Sequence, residues 1–372
     1  MTHNAKPPII ILVINSLAGR GGERSVLTLA EGFLKRNCEV HIICFASKVE
    51  YQLNPSIHYH FINLRPFKWV APKALRYKMM SNKVDKFISQ VIPNHDLILS
   101  NLNQANLVMA NSKFKDIAYI IRNTFSEERA AESSKRREQR NQLFAKAFVK
   151  HPCIGVSQGV TEDLVQYLQP YLAKGKSIQA HTIYNSFDRQ QILKLADEYT
   201  VDEGEYIVHL GAFSYAKNHE LLLHAYAKSN QKMPLLLLGQ GKSEDKIKQL
   251  ANELGVQDKV KFIGFKSNPY PYIKQAKGMV LSSRYEGFAR VIVEALSLDV
   301  PVISTDCKSG PNEILKPHNL SPVGDVDALA SQISLLMDNP QQFYVPFNDK
   351  LLPENIAQEF LDYFHVNKHV NK

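Results

Sequence analysis

Paired cysteines, long apolar runs and low-complexity tracts are all missing from this chain. Its four cysteines, Cys38, Cys44, Cys153 and Cys307, are scattered without a Cys-x-x-Cys pair. That argues against a cysteine zinc centre and a disulfide scaffold, and it favours a reducing compartment. No stretch approaches the ~20 apolar residues of a membrane span. The apolar run Pro7–Ile14 follows Lys6 as a signal peptide would, but it is too short and has no small-residue cleavage site after it, so it reads as a buried first strand. The expected location is therefore cytoplasmic. Solenoid repeats are absent, and tryptophan occurs once, at Trp69.

What is present is balanced. The 372 residues are 44% hydrophobic and 22% charged, with 17 glycines and 18 prolines. This composition excludes gross disorder and collagen-like chains, and at roughly 100–200 residues per domain the length holds about two. The formal charge of +9 is unevenly placed. Residues 1–190 carry 26 Lys and Arg against 14 Asp and Glu, whereas residues 191–372 carry 19 against 22. A basic first half suggests that it faces something anionic: nucleic acid, phospholipid or a phosphorylated substrate.

Short β-branched runs alternate with longer amphipathic stretches. In the first half, strands are expected at Ile9–Ile14, Glu39–Phe45, Ile57–Phe61, Leu97–Ser100, Ile117–Arg122, Cys153–Val156 and His181–Tyr184. Helices are expected at Gly22–Arg36, Pro72–Val91, Ala105–Ala110, Ser126–Lys150 and Gln158–Tyr167. In the second half, strands are expected at Tyr206–Leu210, Leu235–Leu238, Val260–Ile263, Met279–Leu281 and Val300–Ser304, with helices at Asn218–Lys228, Ser243–Leu254, Ala289–Leu298 and Asp325–Met337. Such alternation is the signature of a parallel sheet covered on both faces. The charged connector within Tyr184–Gly204 places a boundary there. The expected architecture is α/β, two Rossmann-like domains facing a cleft: residues 1–185, residues 186–348, and a helical tail, 349–372, packing back on the first. Ligands should bind where strand carboxyl ends face that cleft.

The densest candidate site runs from Ser282 to Glu313. It follows a buried strand, turns at Tyr285-Glu286-Gly287-Phe288 and opens a helix whose backbone N–H groups suit phosphate. Glu286 sits on the turn, where a carboxylate can accept hydrogen bonds from sugar hydroxyls. Glu294 lies eight residues on amid apolar neighbours and calls for a hydroxyl-rich or cationic partner. Taken singly, either glutamate also reads as a helix-capping or solvated acid; taken together they read as a site.

Glu-Gly-Phe followed by that second Glu, then Pro301-Val-Ile-Ser-Thr-Asp306 and Gly310-Pro-x-Glu-Ile314, resembles the family 4 retaining glycosyltransferases of GT-B fold, of the bacterial cell-surface glycan type. The resemblance implies that Glu286 contacts the donor hexose and Glu294 the ribose hydroxyls. The turn at Gly287, Phe288 and Ala289 would hold the diphosphate and sugar, beside Tyr285. In the loop after the second domain's first strand, Gly211 and Lys217 match a Gly-Arg-Leu-x-x-x-Lys pattern, but Ala212 replaces the arginine. Arg284 or Arg290 would then help neutralise the leaving diphosphate. Gly264, Phe265 and Lys266 end a strand whose counterpart reads the base in relatives. Taken alone, they read as a strand-to-helix turn rather than as a site.

In the first domain, Ser16–Glu23 is a glycine-rich turn without a Walker lysine, so a P-loop is not supported. The resemblance implies that this loop closes over the donor and acceptor across the cleft, which makes Gly21 and Gly22 donor-binding candidates; taken alone, the loop reads as a tight turn. It also puts Arg122, with Asn123, where relatives often have a histidine, as acceptor-side candidates. Asp325-Val-Asp327 reads as a helix cap, and no metal or other cofactor is expected. Two basic surfaces stand out: Arg65–Lys86, which contains Trp69, and the helix bearing Arg129, Lys135, Arg136, Arg137, Arg140, Lys146 and Lys150. Both suit an anionic membrane surface, and both also read as solvated helix faces.

The expected activity is transfer of a hexose or N-acetylhexosamine from a UDP-sugar to a lipid-linked glycan or lipopolysaccharide, peripherally on the cytoplasmic face of the inner membrane. A nucleotide-sugar epimerase of the same build is the rival enzyme. A non-catalytic nucleic-acid-binding protein fits less well, since no helix-turn-helix, zinc-finger or RNP pattern occurs, and no nucleic-acid partner is expected.

Overall fold

The computed structural model describes residues 6–18, 21–128 and 133–366. The chain divides into two compact units, Met1–Phe187 with Asp349–Lys372, and Asp188–Asn348.

The first unit begins with β1 (Ile9–Ile14), whose six apolar residues are all buried because both faces of the strand are covered. It continues through α1 (Gly21–Lys35), β2 (Glu39–Cys44), β3 (His58–Phe61), α2 (Lys73–Val91), β4 (Leu97–Asn101), α3 (Asn103–Met109) and β5 (Ile117–Ile121). Next come α4 (Phe125–Glu128), α5 (Ser134–Phe148), β6 (Cys153–Gly155), α6 (Gln158–Leu168) and β7 (Ala180–Thr182). The strands form one parallel sheet in the order β3-β2-β1-β4-β5-β6-β7. Connections leave β1 toward β2 and later build outward from β4. The strand order therefore reverses between β1 and β4, opening a crevice at their carboxyl ends.

The second unit runs α7 (Arg189–Ala196), β8 (Ile207–Leu210), α8 (His219–Lys228), β9 (Leu235–Leu238), α9 (Glu244–Glu253), β10 (Val260–Gly264) and α10 (Tyr270–Lys274). It continues with β11 (Gly278–Leu281), α11 (Arg290–Leu296), β12 (Val302–Thr305), α12 (Pro311–Ile314), β13 (Leu320–Ser321) and α13 (Val326–Asp338). Its sheet is also parallel, ordered β10-β9-β8-β11-β12-β13, with the reversal between β8 and β11. Each unit is thus a Rossmann-like α/β layer structure. Burying a Val, Leu or Ile side chain in such a core contributes roughly 1.5–3 kcal/mol.

The last helix, α14 (Pro353–Tyr363), lies against α1 in the first unit. Phe33 and Phe360 approach to 6.1 Å between ring centroids, Lys35 pairs with Glu354 at 3.2 Å, and Arg36 Nε donates to the Glu354 carbonyl.

Three local expectations are corrected. The helix expected over Ser126–Lys150 is two helices, α4 and α5; residues 129–132, Arg129 among them, lie outside the described residues. The buried Asp163 carboxylate accepts from the Phe125 and Ser126 N–H groups and so anchors the start of α4. The connector at 184–204 contains α7, capped by Asp188, whose carboxylate accepts from Gln191 N, and seated through buried Ile192 and Ala196. The strand expected from Val300 starts at Val302, because Pro301 has no N–H for the ladder.

Candidate functional site

In the second unit the switch point between β8 and β11 gathers the candidate residues. The loop from Gly211 to Asn218 leaves β8, and the loop from Ser282 to Ala289 leaves β11. They are tied together by backbone and side chain: Arg284 N donates to the Ala216 carbonyl at 2.7 Å, and Ser282 Oγ to the Lys217 carbonyl at 2.9 Å. A third loop, after β12, joins through Thr305 Oγ1 to the Ser283 carbonyl and Glu286 N to the Lys308 carbonyl. Tyr285 pairs with Lys308 as an isolated parallel bridge.

At the meeting point, Lys217 Nζ and Glu286 Oε1 form an ion pair at 2.6 Å, with side chains only 20% and 12% exposed. Ser283 Oγ donates to the same oxygen at 2.6 Å. Glu286 Oε2 accepts nothing among the described residues, so one carboxylate edge is fixed and the other remains for a ligand hydroxyl. Lys217 has three N–H donors and uses one on Glu286, which leaves two for an anion.

Close backbone approach makes this possible. A Cβ on Gly211 would stand 3.0 Å from Lys217 Cγ and 3.2 Å from His209 Nε2. A Cβ on Gly239, at φ +149°, would fall 2.0 Å from the Gly211 carbonyl oxygen, so the loop after β9 packs directly on the loop after β8. Asn218, Ala289 and Ser309 have positive φ without being glycine. Backbone strain of this kind costs about 1–3 kcal/mol each and concentrates at functional sites.

The remaining candidates divide. Arg284 stacks on Tyr215, its guanidinium 4.5 Å from the ring centroid, and its buried Nε bonds to nothing among the described residues. Both residues line a pocket of about 190 Å³ with Asn218, His219 and Lys246. Arg290 turns instead to Glu294, one helical turn along α11, at 3.4 Å. That ion pair supplies the cationic partner a buried glutamate needs. Phe288 and Ala289 are buried where α11 begins, beside Gly287. Gly264 has φ +77°, Phe265 is 60% exposed, and Lys266 lies over the Tyr272 ring. Asp325 caps α13 by accepting from Ala328 N at 2.9 Å.

Two histidines in this site had no role in the sequence reading. His209 is fully buried on β8, with Nδ1 on the Val280 carbonyl and Nε2 without a partner among the described residues. Burial, then the neighbouring His219, push its pKa well below the usual value. His219 stacks on Phe213, and burial followed by the charge of Lys217 pushes its pKa down to about 4. Both imidazoles are therefore neutral in the neutral range. The signal available was the spacing His209-x-Gly211 and Lys217-x-His219 around the strand end.

In the first unit, Gly21 and Gly22 open α1, and a Cβ on Gly22 would lie 3.6 Å from Arg122 Cδ. Arg122 is held by two amides, Nη1 on Asn185 Oδ1 and Nη2 on Asn101 Oδ1, while Asn123 bonds Glu128. Among the described residues, Glu39, His41 and His58 place ligand-capable atoms within 4.8 Å of one another, on β2 and β3. No helix among the described residues is long and apolar enough to cross a membrane.

Residues 193–350 match the family model of glycosyl transferases group 1. The chain is 29% identical over 329 residues to N-acetylgalactosamine-N,N'-diacetylbacillosaminyl-diphospho-undecaprenol 4-alpha-N-acetylgalactosaminyltransferase of Campylobacter jejuni, covering 85% of this chain and 86% of that one. It is 26% identical over 171 residues to lipopolysaccharide 1,6-galactosyltransferase of Salmonella typhimurium, covering 44% and 45%. Among solved structures, Anabaena Alr3699/HepE in complex with UDP and glucose superposes with a TM-score of 0.67 at 20% identity, over 98% of both chains.

Proposed function

We propose that the chain, a glycosyltransferase, moves a hexose or N-acetylhexosamine from a UDP-sugar to a lipid-linked glycan or lipopolysaccharide acceptor, retaining the anomeric configuration and using no metal or other cofactor. The observation that carries this reading is the held carboxylate at the β8/β11 switch point. Lys217 and Ser283 fix Glu286 Oε1 and leave Oε2 to grip a sugar hydroxyl.

The barrier lies in breaking the bond between the anomeric carbon and the β-phosphate oxygen, which builds oxocarbenium character on the sugar and charge on the departing diphosphate. Lys217 and Arg284 stand ready to stabilise that charge without reorganising. Arg284 thus takes the place of the arginine absent at Ala212, and Arg290 serves Glu294, the candidate ribose contact. The backbone of Gly287–Ala289 faces the diphosphate. The acceptor oxygen bonds to the anomeric carbon on the face the phosphate leaves, and its proton passes to the released phosphate oxygen. His209 and His219 are held neutral, and His219 lines the pocket beside Arg284.

The membrane surface belongs to the same proposal. Trp69 is 85% exposed beside Lys68, and Leu75 and Met79 are exposed one turn apart on the basic helix α2. Attraction to anionic lipid adds ~1 kcal/mol for each basic residue near the surface.

A thermal-shift panel of nucleoside diphosphate sugars tests the donor, and the anomeric configuration of the product, read by NMR, tests retention. The proposal expects stabilisation by a UDP-sugar and a retained anomer. An unmoved melting temperature across the panel, or an inverted product, contradicts it.

A further inference from the structure

The first unit contains a cavity of about 570 Å³ that takes no part in the sugar transfer proposed above. Arg65, Lys68, Lys73, Arg76, Arg136 and Arg140 line it, and among the described residues no carboxylate does. Arg65, Lys68, Lys73, Arg76 and Arg136 form no ion pair with a carboxylate among the described residues. The cations come from three separate elements: the turn Arg65–Trp69, the start of α2, and successive turns of α5. Arg76 is pre-set by its Nε bond to the Val70 carbonyl at 2.9 Å.

The cavity floor is of opposite character. Phe45, Leu64, Met80 and Phe144 line it and are all buried in the core. Its position is equally specific. Asn15 and Ser16 enter from the end of β1, Ala46 from the end of β2 and Asn103 from just after β4. That is the carboxyl-end crevice where the strand order reverses, the place where open α/β sheets take their ligands. Like charges converging on a concave surface repel one another until an anion enters, and guanidinium groups match phosphate oxygens bidentately.

We propose that this cavity binds a phosphate or diphosphate ester carrying an apolar chain. The cations grip the phosphate oxygens, and the apolar floor takes the first carbons of the chain. The inference rests on the reading of a lipid-linked acceptor and assigns the non-reacting end of that acceptor to a built site. It uses neither the Lys217–Glu286 pair nor any residue of the second unit.

The test is isothermal titration of the full chain with farnesyl diphosphate, inorganic pyrophosphate and farnesol, repeated on Lys73→Gln/Arg136→Gln, with UDP titrated in parallel. Farnesyl diphosphate is expected to bind at least about tenfold more tightly than either pyrophosphate or farnesol. The double substitution should weaken it at least about tenfold and leave UDP affinity unchanged. Equal affinity for pyrophosphate and farnesyl diphosphate overturns the lipid source in favour of free phosphate. Undiminished farnesyl diphosphate binding by the variant overturns the site. Loss of flotation with phosphatidylglycerol vesicles, with farnesyl diphosphate binding intact, assigns the cations to a bilayer and also overturns it. Should UDP-sugar transfer persist while farnesyl diphosphate fails to bind, the cavity assignment falls and the transferase reading stands. The converse result removes the transferase reading alone.

Discussion

Glu286 and Lys217 come from loops 69 positions apart and meet at 2.6 Å. Glu286→Gln keeps the size of the side chain and removes the charge that holds Lys217 and that the proposed reaction needs at the sugar. Transfer should fall by about 10²–10³ in kcat with the circular dichroism spectrum unchanged. Near-normal turnover would remove Glu286 from the reaction. Both residues were legible because their spacing from neighbouring glycines forms a pattern. The partners of the arginines were not. Whether Arg284 or Arg290 faces an anion depends on which neighbour packing offers, Tyr215 from another loop or Glu294 one turn away. His209 and His219 escaped for the same reason, since only the fold makes a strand-end histidine fully buried.

At the scale of elements, Gly239 and Phe360 carry opposite expectations. Gly239→Ala pushes a Cβ against the Gly211 carbonyl and strains a positive-φ position, so it should cost about 2 kcal/mol or more and weaken UDP binding. Unchanged melting temperature and UDP affinity would show the two loops to be independent. Phe360→Ala opens a cavity between α1 and α14 and should cost roughly 3–5 kcal/mol, with UDP affinity retained. An unaffected urea midpoint would mean that α14 adds nothing to the core. The long buried strands were legible because each is an unbroken apolar run flanked by turn residues, as in Ile9–Ile14 and Leu235–Leu238. The two-residue β13 and the short helices α10 and α12 carry too few residues for a period to register. The start of α4 is anchored by Asp163, a contact across 37 positions that local patterning does not contain.

Across the whole molecule, buried histidines set an acid limit. His209 and His219 titrate lower in the folded chain than in the unfolded chain, and burial drives His41, His60 and His151 the same way. Between the unfolded value of about 6.5 and the depressed folded values, the unfolded state binds more protons, so stability falls as pH falls through that window. His95 opposes them: burial lowers its pKa, but Asp116 at 2.9 Å and the Ile92 carbonyl outweigh that and raise it. The urea midpoint should drop from pH 7.5 to pH 5, and by less in His219→Phe, which keeps the stack on Phe213. An identical pH slope in that variant would show that His219 does not contribute.

Both sheets reverse their strand order once, and in each unit the loops at that reversal carry the convergent polar groups. For the second unit the direct measurement is calorimetric titration of UDP into the full chain and into Lys217→Ala. Saturable binding that weakens at least about tenfold in the variant is the expected result. No UDP binding at all, or equal affinity in both proteins, would contradict a diphosphate site at Lys217.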